Sequence, residues 1–273
     1  MSLPLRTIMN RLDDWIPPSS AQPYDNVGLQ VGDPDANVVR AIVALDLTPA
    51  ILDEAIESSA QLIVTHHPLL FKGLKRIDTT DLIGNLVYRL VANGIAVVAT
   101  HTNLDAAADG VSAKLAELLG LVNHRFLEPL ESDPSSDNLG LGMIGELTRS
   151  EDLASFLQRV CETLKLPAVR YAGDRATTIS SVAVCGGAGG DLVAAAIESG
   201  ADAYVTADLS YHTFFEVLGA SGTHKMALID AGHYETESET EALLVDWLTA
   251  HLPDVDWRRT THRSSPIKYH VAR

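Results

Sequence analysis

An eleven-residue segment of this chain occurs twice. Ala55-Ile56-Glu57-Ser58-Ser59-Ala60 returns as Ala196-Ile197-Glu198-Ser199-Gly200-Ala201, and Val64-Thr65 returns as Val205-Thr206 at the same offset of 141. Seven of the eleven aligned positions, 55 to 65, are identical. Each copy reads as a helix running into a strand, with an apolar run before the helix. Such self-similarity confines the chain to architectures built from two versions of one strand–helix–strand unit. The expected class is therefore α/β, with two related lobes produced by internal duplication.

The rest of the pattern agrees with that class. Short apolar runs, rich in β-branched residues or alanine, recur at Val38 to Leu45, Gln61 to Thr65, Ile95 to Thr100, Ser180 to Cys185, Ala203 to Thr206 and Lys225 to Asp230. These read as strands. Segments of helical periodicity lie between several of them: Pro49 to Ser59, Asp81 to Asn93, Val111 to Leu119, Asp191 to Ser199 and Glu237 to Leu252. Alternation of strand and helix predicts largely parallel pairing. Glu128 to Leu139 contains Ser-Asp-Pro-Ser-Ser-Asp, a turn-rich stretch expected to connect the lobes. On this reading 1–127 forms the first lobe, completed by about 226–273, and 128–225 forms the second.

Net charge is −16 with histidines neutral, so a nucleic-acid backbone would meet repulsion over most of the surface. Nucleic acid is disfavoured as a partner. Only Cys161 and Cys185 are present, without the paired spacing of a thiolate site, so any metal must take nitrogen and oxygen ligands. No stretch approaches the roughly 18 apolar residues of a membrane span, and Met1 to Asn10 lacks a signal-peptide core. The expected location is the cytoplasm.

In a parallel sheet, functional groups gather beyond the carboxyl ends of the strands. Three strand exits here carry metal-ligating residue types: Thr65 runs into His66-His67-Pro68, Thr100 into His101-Thr102-Asn103-Leu104-Asp105, and Asp230 into Ala231-Gly232-His233-Tyr234-Glu235-Thr236-Glu237. Adjacent histidines on a regular strand point to opposite faces, but at an exit both can turn to one cavity. His233 and Glu237, four apart on the first turn of a helix, share a face, where the glutamate can bridge two ions. The second copy of the repeat continues into Ala207-Asp208 where the first continues into His66-His67, so the ligands belong to one copy only. A mixed imidazole and carboxylate set suits zinc, manganese, iron or nickel better than calcium. A single histidine is more often a surface or capped side chain, and His124, His224, His251, His262 and His270 are read that way. Three convergent exits read as a pair of divalent metals held by His66, His67, Asp105, His233 and Glu237, with His101 close by.

Tyr24-Asp25-Asn26-Val27-Gly28-Leu29, Thr65-His66-His67-Pro68, His101-Thr102-Asn103-Leu104-Asp105, Thr206-Ala207-Asp208-Leu209-Ser210-Tyr211-His212 and Asp230 to Glu237 together resemble the GTP cyclohydrolase 1 type 2 homologs, the Nif-three-like family. The resemblance implies a two-lobed subunit, a dinuclear metal centre between the lobes and a toroidal homohexamer with inward-facing sites. It places the family's ligands on His66, His67, Asp105, His233 and Glu237, and makes His101 a ligand or a supporting residue. Longer relatives carry an inserted domain for which this chain is too short. Tyr24 stands where the family usually has Trp, and Ala207 where it usually has Gly.

Two metals in such a setting favour hydrolysis. A cyclohydrolase reading has water attack the imidazole carbon of a purine nucleotide, with His101 or His212 as candidates for proton transfer. Asp25, Asn26 and Asp208 are candidates for substrate binding. The run Cys185-Gly186-Gly187-Ala188-Gly189-Gly190, ahead of a helix, reads equally as a phosphate handle through Gly186, Gly187, Gly189 and Gly190 or as a turn needed for close packing. A dinuclear phosphoesterase or amidohydrolase fits the same ligands, as does a non-catalytic metal-binding or metal-trafficking protein.

Overall fold

Apolar runs without alternation become strands covered on both faces. The computed structural model describes residues 2–130 and 139–271. They fall into two compact units, one comprising residues up to Leu104 with Thr240–Pro266, the other Asp105–Glu239 with the segment from Ile267. The expected connection, Glu128 to Leu139, lies largely outside the described residues, and its first two positions end the strand Leu121–Pro129.

In the first unit a five-stranded sheet has the order Asp256–Arg259, Arg40–Ala44, Leu62–Thr65, Ala96–Ala99, Gly28–Val31. The first four pair in parallel, and Gly28–Val31 closes the edge antiparallel. Ile42, Ala44, Ile63 and Val97 point to one face, where they pack on Ile51, Leu52 and Ala55 of the helix Pro49–Glu57 and on Leu86 and Leu90 of the helix Leu82–Asn93. Each isoleucine, leucine and valine among them contributes about 1.5–3 kcal/mol by leaving water. Both helices begin where the sequence supplies a cap. Thr48 Oγ1 accepts from Ile51 N ahead of Pro49, and Asp81 accepts from Gly84 N at 2.9 Å.

The second unit holds a six-stranded sheet in the order Leu121–Pro129, Gly140–Asp152, Thr178–Ala188, Ala203–Ala207, Ala227–Asp230, Arg170–Ala172. Its two central pairings are parallel and the other three antiparallel, more mixed than strand–helix alternation predicts. Leu121–Pro129 and Gly140–Asp152 follow each other along the chain and pair antiparallel, whereas the two parallel pairs are each joined by a crossover of a dozen residues or more. Alternate residues of the central strands serve two cores. Val182, Val184, Val205 and Ile229 meet Phe156 and Val160 on one face, while Ala183, Tyr204 and Leu228 meet Val193 and Ala196 on the other.

The repeat is visible in the ladders themselves. Ala41 opposes Leu62 and Val43 opposes Val64 in the first unit; Val182 opposes Ala203 and Val184 opposes Val205 in the second, the same pairs displaced by 141. The helices Pro49–Glu57 and Val193–Glu198 are each followed by a left-handed residue at the same repeat position, Ser59 (φ 55°) and Gly200 (φ 78°). The packing limits at 104/105 and 239/240 differ from the limits near 127 and 225 read from the sequence. They follow the sheets, since Ala227–Asp230 is laddered to Ala203–Ala207 and Val111–Leu118 packs on Thr178–Ala188. Among the described residues, no helix is long and apolar enough to cross a membrane.

Candidate metal centre

The strand Leu62–Thr65 delivers two histidines to one place. The ladder runs on past its end, with His66 N donating to Ala44 O at 3.2 Å and His67 N to Leu45 O at 2.9 Å. Their rings nevertheless come together, centroids 4.9 Å apart, and His101 from the neighbouring strand exit stands 5.3 Å from His66 and 5.4 Å from His67. One ligand atom from each of the three lies within 4.8 Å of the others, a grouping that could hold a metal ion. His66 is fully buried.

Each of these rings is fixed through Nδ1. His66 Nδ1 lies 2.8 Å from Thr100 O, His67 Nδ1 2.7 Å from Asp46 Oδ1, and His101 Nδ1 2.8 Å from Asp25 Oδ1. Carbonyl and carboxylate oxygens only accept, so Nδ1 carries the proton and the lone pair sits on Nε2. That is the tautomer and orientation a metal-ligating histidine requires, set by the oxygen behind it. Burial and the neighbouring His66 outweigh Asp25 and hold the His101 imidazole below its ordinary pKa, so it is neutral at pH 7. For Asp25 burial pushes upward, but hydrogen bonds from His101 and from Thr102 prevail and keep the carboxyl below its usual range.

The second unit repeats the device. Gly232 (φ 78°) turns the chain into the helix His233–Glu237, where His233 Nδ1 lies 2.8 Å from Asp208 Oδ2 and His233 Nε2 lies 3.1 Å from Glu237 Oε2. The spacing of four does put this pair on one face, and Glu237 is buried. Asp105, the last residue of the helix Thr102–Asp105, is half-buried. Its charge is felt at Cys185: desolvation first, then Asp105, push that thiol up to about 12, so it is protonated at pH 7.

The glycine run lies against Glu237. Gly186 and Gly187 belong to the strand Thr178–Ala188, not to a loop. A Cβ on Gly187 (φ 63°) would collide with the Glu237 carboxylate and come within 3.1 Å of His233 Nε2. The amides here already have partners: Gly187 N donates to Thr236 Oγ1 at 3.0 Å and Gly189 N to Thr206 Oγ1 at 2.9 Å, while Tyr204 OH donates to Gly189 O at 2.8 Å. The helix that follows, Val193–Glu198, is six residues long and offers an anion little. Close approach of backbone to carboxylate accounts for Gly187, and an anion at this run would have to displace those hydroxyl contacts.

Three candidates for substrate or proton handling are placed otherwise engaged. Asp25 and Asp208 face histidine nitrogens, and Asn26 Nδ2 donates to Leu70 O at 2.7 Å. His212 is exposed beside Tyr211 and Phe215, ring centroids 5.3 and 6.4 Å away, and belongs to none of the His and carboxylate groups found among the described residues. Sequence reasoning missed Asp46, which grips His67 with one oxygen and accepts from Ser264 Oγ at 2.7 Å on the other. The signal was present: Asp46 stands two residues beyond the strand Arg40–Ala44, at a third strand exit of the same sheet.

Comparison with known proteins extends these findings. The family model Duf34/NIF3 (NGG1p interacting factor 3) matches residues 3–267. A protein of Streptomyces coelicolor named GTP cyclohydrolase 1 type 2 homolog is 39% identical over 235 residues, 85% of this chain and 81% of that one. A Clostridium acetobutylicum protein of the same name is 36% identical over 237 residues, 87% and 86% of the two chains. The crystal structure of a Staphylococcus aureus protein superposes with a TM-score of 0.88 at 27% identity, covering 98% of this chain and 99% of its own.

Proposed function

The chain belongs to the Duf34/NIF3 (NGG1p interacting factor 3) family, and we propose that it is a metal-dependent hydrolase with a dinuclear centre. The ligands in this reading are His66, His67, Asp105, His233 and Glu237, with His101 as a further ligand or support. The observation that carries it is the convergence of three imidazoles, each with Nδ1 tied to an oxygen so that the lone pair is left on Nε2. The donor set fits first-row ions such as zinc, manganese, iron or nickel. Bound there, divalent ions would supply a water acidic enough to ionise near neutral pH and a Lewis acid for the bond under attack.

The chain's own groups have distinct parts in this scheme. Asp46, Asp25 and Asp208 orient His67, His101 and His233, and Gly187 leaves room for the Glu237 carboxylate. Where His101 supports the centre without ligating it, its Nε2 is the atom suited to accept a proton during turnover. The relatives' shared name supports a purine nucleotide as substrate. Turnover is to be measured on GTP and a phosphoester panel with protein loaded separately with zinc, manganese and iron. Hydrolysis of one class with one metal is expected; metal bound with no turnover on any would replace the enzyme by a metal-binding protein. Metal per chain in wild type, His67→Ala and Glu237→Ala tests the ligands, and equal loading in all three would end the assignment.

Two further parts of the proposal concern architecture. The coincident ladder registers and left-handed helix ends support an origin of the two lobes by duplication. A homohexamer is the expected assembly, to be read as six chains by light scattering.

A further inference from the structure

Next to the histidine cluster, within the first unit, lies a cavity of about 580 Å³ lined by apolar and aromatic side chains together with polar Asn26 and Gln30. Tyr24, Phe71, Leu74 and Ile77 line it together with Val31 and Leu70. Four of these are large side chains left facing solvent, Tyr24 by 66% and Ile77 by 57%. The rings of Tyr24 and Phe71 meet edge to face at 6.4 Å, and Phe71 meets His101 in the same way at 6.3 Å. One wall thus abuts a histidine of the candidate metal centre. Asp25, also on that wall, turns its side chain wholly inward to His101 and Thr102 and presents no charge to the cavity.

The same loop is basic. Lys72, Lys75 and Arg76 alternate with the lining residues, three cations within five positions of a chain whose net charge is −16. Lys72 and Lys75 are exposed, and Arg76 reaches Asp78 only at 4.0 Å from an 85% exposed side chain. The loop is held in register, since Leu70 N donates to Gln30 Oε1 at 3.1 Å and Asn26 Nδ2 to Leu70 O. A slot with two aromatic edges therefore stands beside the candidate metal-ligating cluster, and the loop that lines it carries three exposed cations.

We propose that this cavity is the subsite for the non-reacting part of the substrate, and that it selects a planar aromatic ring carrying an anionic group. The ring packs against Phe71, Tyr24 and Ile77, the anion is attracted by Lys72, Lys75 and Arg76, and the bond to be cleaved extends toward His101. This substrate class rests on the hydrolase reading above, whereas ring binding itself does not require a metal. Such packing on one aromatic residue is worth about tenfold in affinity.

The test is calorimetric binding of three probes that cannot be hydrolysed, with the full chain both metal-loaded and metal-stripped. Naphthalene sulfonate has ring and anion, naphthol the ring alone, methanesulfonate the anion alone. Naphthalene sulfonate should bind tightest. Phe71→Ala should weaken it and naphthol about tenfold while metal content stays at the wild-type level. A Lys72→Gln, Lys75→Gln, Arg76→Gln triple variant should weaken naphthalene sulfonate and leave naphthol unchanged. Methanesulfonate binding as tightly as naphthalene sulfonate, or Phe71→Ala binding all three like wild type, would overturn the proposal. So would dissociation of the wild-type oligomer by Phe71→Ala in light scattering, which would assign the patch to a second copy of the chain. Ring binding in a protein that takes up no metal under any loading would support the subsite and remove the hydrolase.

Discussion

Asp46 touches no candidate metal position, yet it determines what His67 can do. Its carboxylate keeps the proton on Nδ1 and receives Ser264 on its other oxygen. Asp46→Ala should lower metal affinity roughly 10–100-fold while the fold persists, as measured by chelator competition beside circular dichroism. Unchanged affinity would mean that His67 is not an oriented ligand. Gly187 acts by having no side chain. Gly187→Ala should cost about 1–2 kcal/mol for the left-handed φ alone, and more because Glu237 must move aside. Denaturant unfolding reads the first effect, and metal per chain, expected to fall, reads the second. At this scale the sequence was most informative about chemistry: His66, His67 and His101 could be brought together from strand exits alone. It was silent on Asp25 and Asp208 as histidine partners, because which nitrogen a carboxylate meets depends on loop geometry that no residue spacing encodes.

Among the elements, the helix Thr240–His251 is anchored to the first sheet by one buried carboxylate. Glu241 accepts Leu45 N at 2.9 Å and Arg259 Nε at 2.7 Å. Glu241→Ala leaves a buried amide without its acceptor and should cost about 1–3 kcal/mol in urea unfolding. Glu54 provides a pH-dependent clasp. Burial pushes its carboxyl up, but hydrogen bonds from Thr260 and Thr261 outweigh this and lower its pKa in the folded protein. A depressed carboxyl gives stability that is present above its unfolded pKa and is lost as pH falls through the folded value. Glu54→Gln should therefore be less stable than wild type at pH 7, with the gap closing below about pH 4.5. A gap constant across that range would refute the assignment. The central strands and their helices were legible because apolar runs and caps are local. The strands Leu121–Pro129 and Gly140–Asp152 were not, since a register shift between Val122 and Arg125, left-handed Asn123 and left-handed Gly142 break their period-two pattern. The helix Leu5–Trp15 was passed over in the sequence, although it buries Leu5, Ile8 and Leu12 at the spacings of three and four that carry a helical signal.

For the whole molecule, resident metal should act as a stabilising ligand. At free ion 100-fold above Kd the folded state gains about 2.7 kcal/mol, so chelation should lower Tm and readdition restore it. Calorimetric scans with and without chelator decide this, and identical Tm values would argue against binding by the folded form.

The chain path has a consequence in time. The first unit opens at the N-terminus but takes its outer strand, Asp256–Arg259, and the Glu241 anchor from the far end of the chain, whereas the second unit is nearly all contained in Asp105–Glu239. During translation the lobe begun first is thus finished last. At roughly 5–20 residues per second its sheet waits many seconds with the edge of Arg40–Ala44 open. A nascent chain held on the ribosome with residues up to about 239 already outside the exit tunnel should display a protease-resistant second lobe beside a first lobe that is still cut, reversing the order in which the two were made.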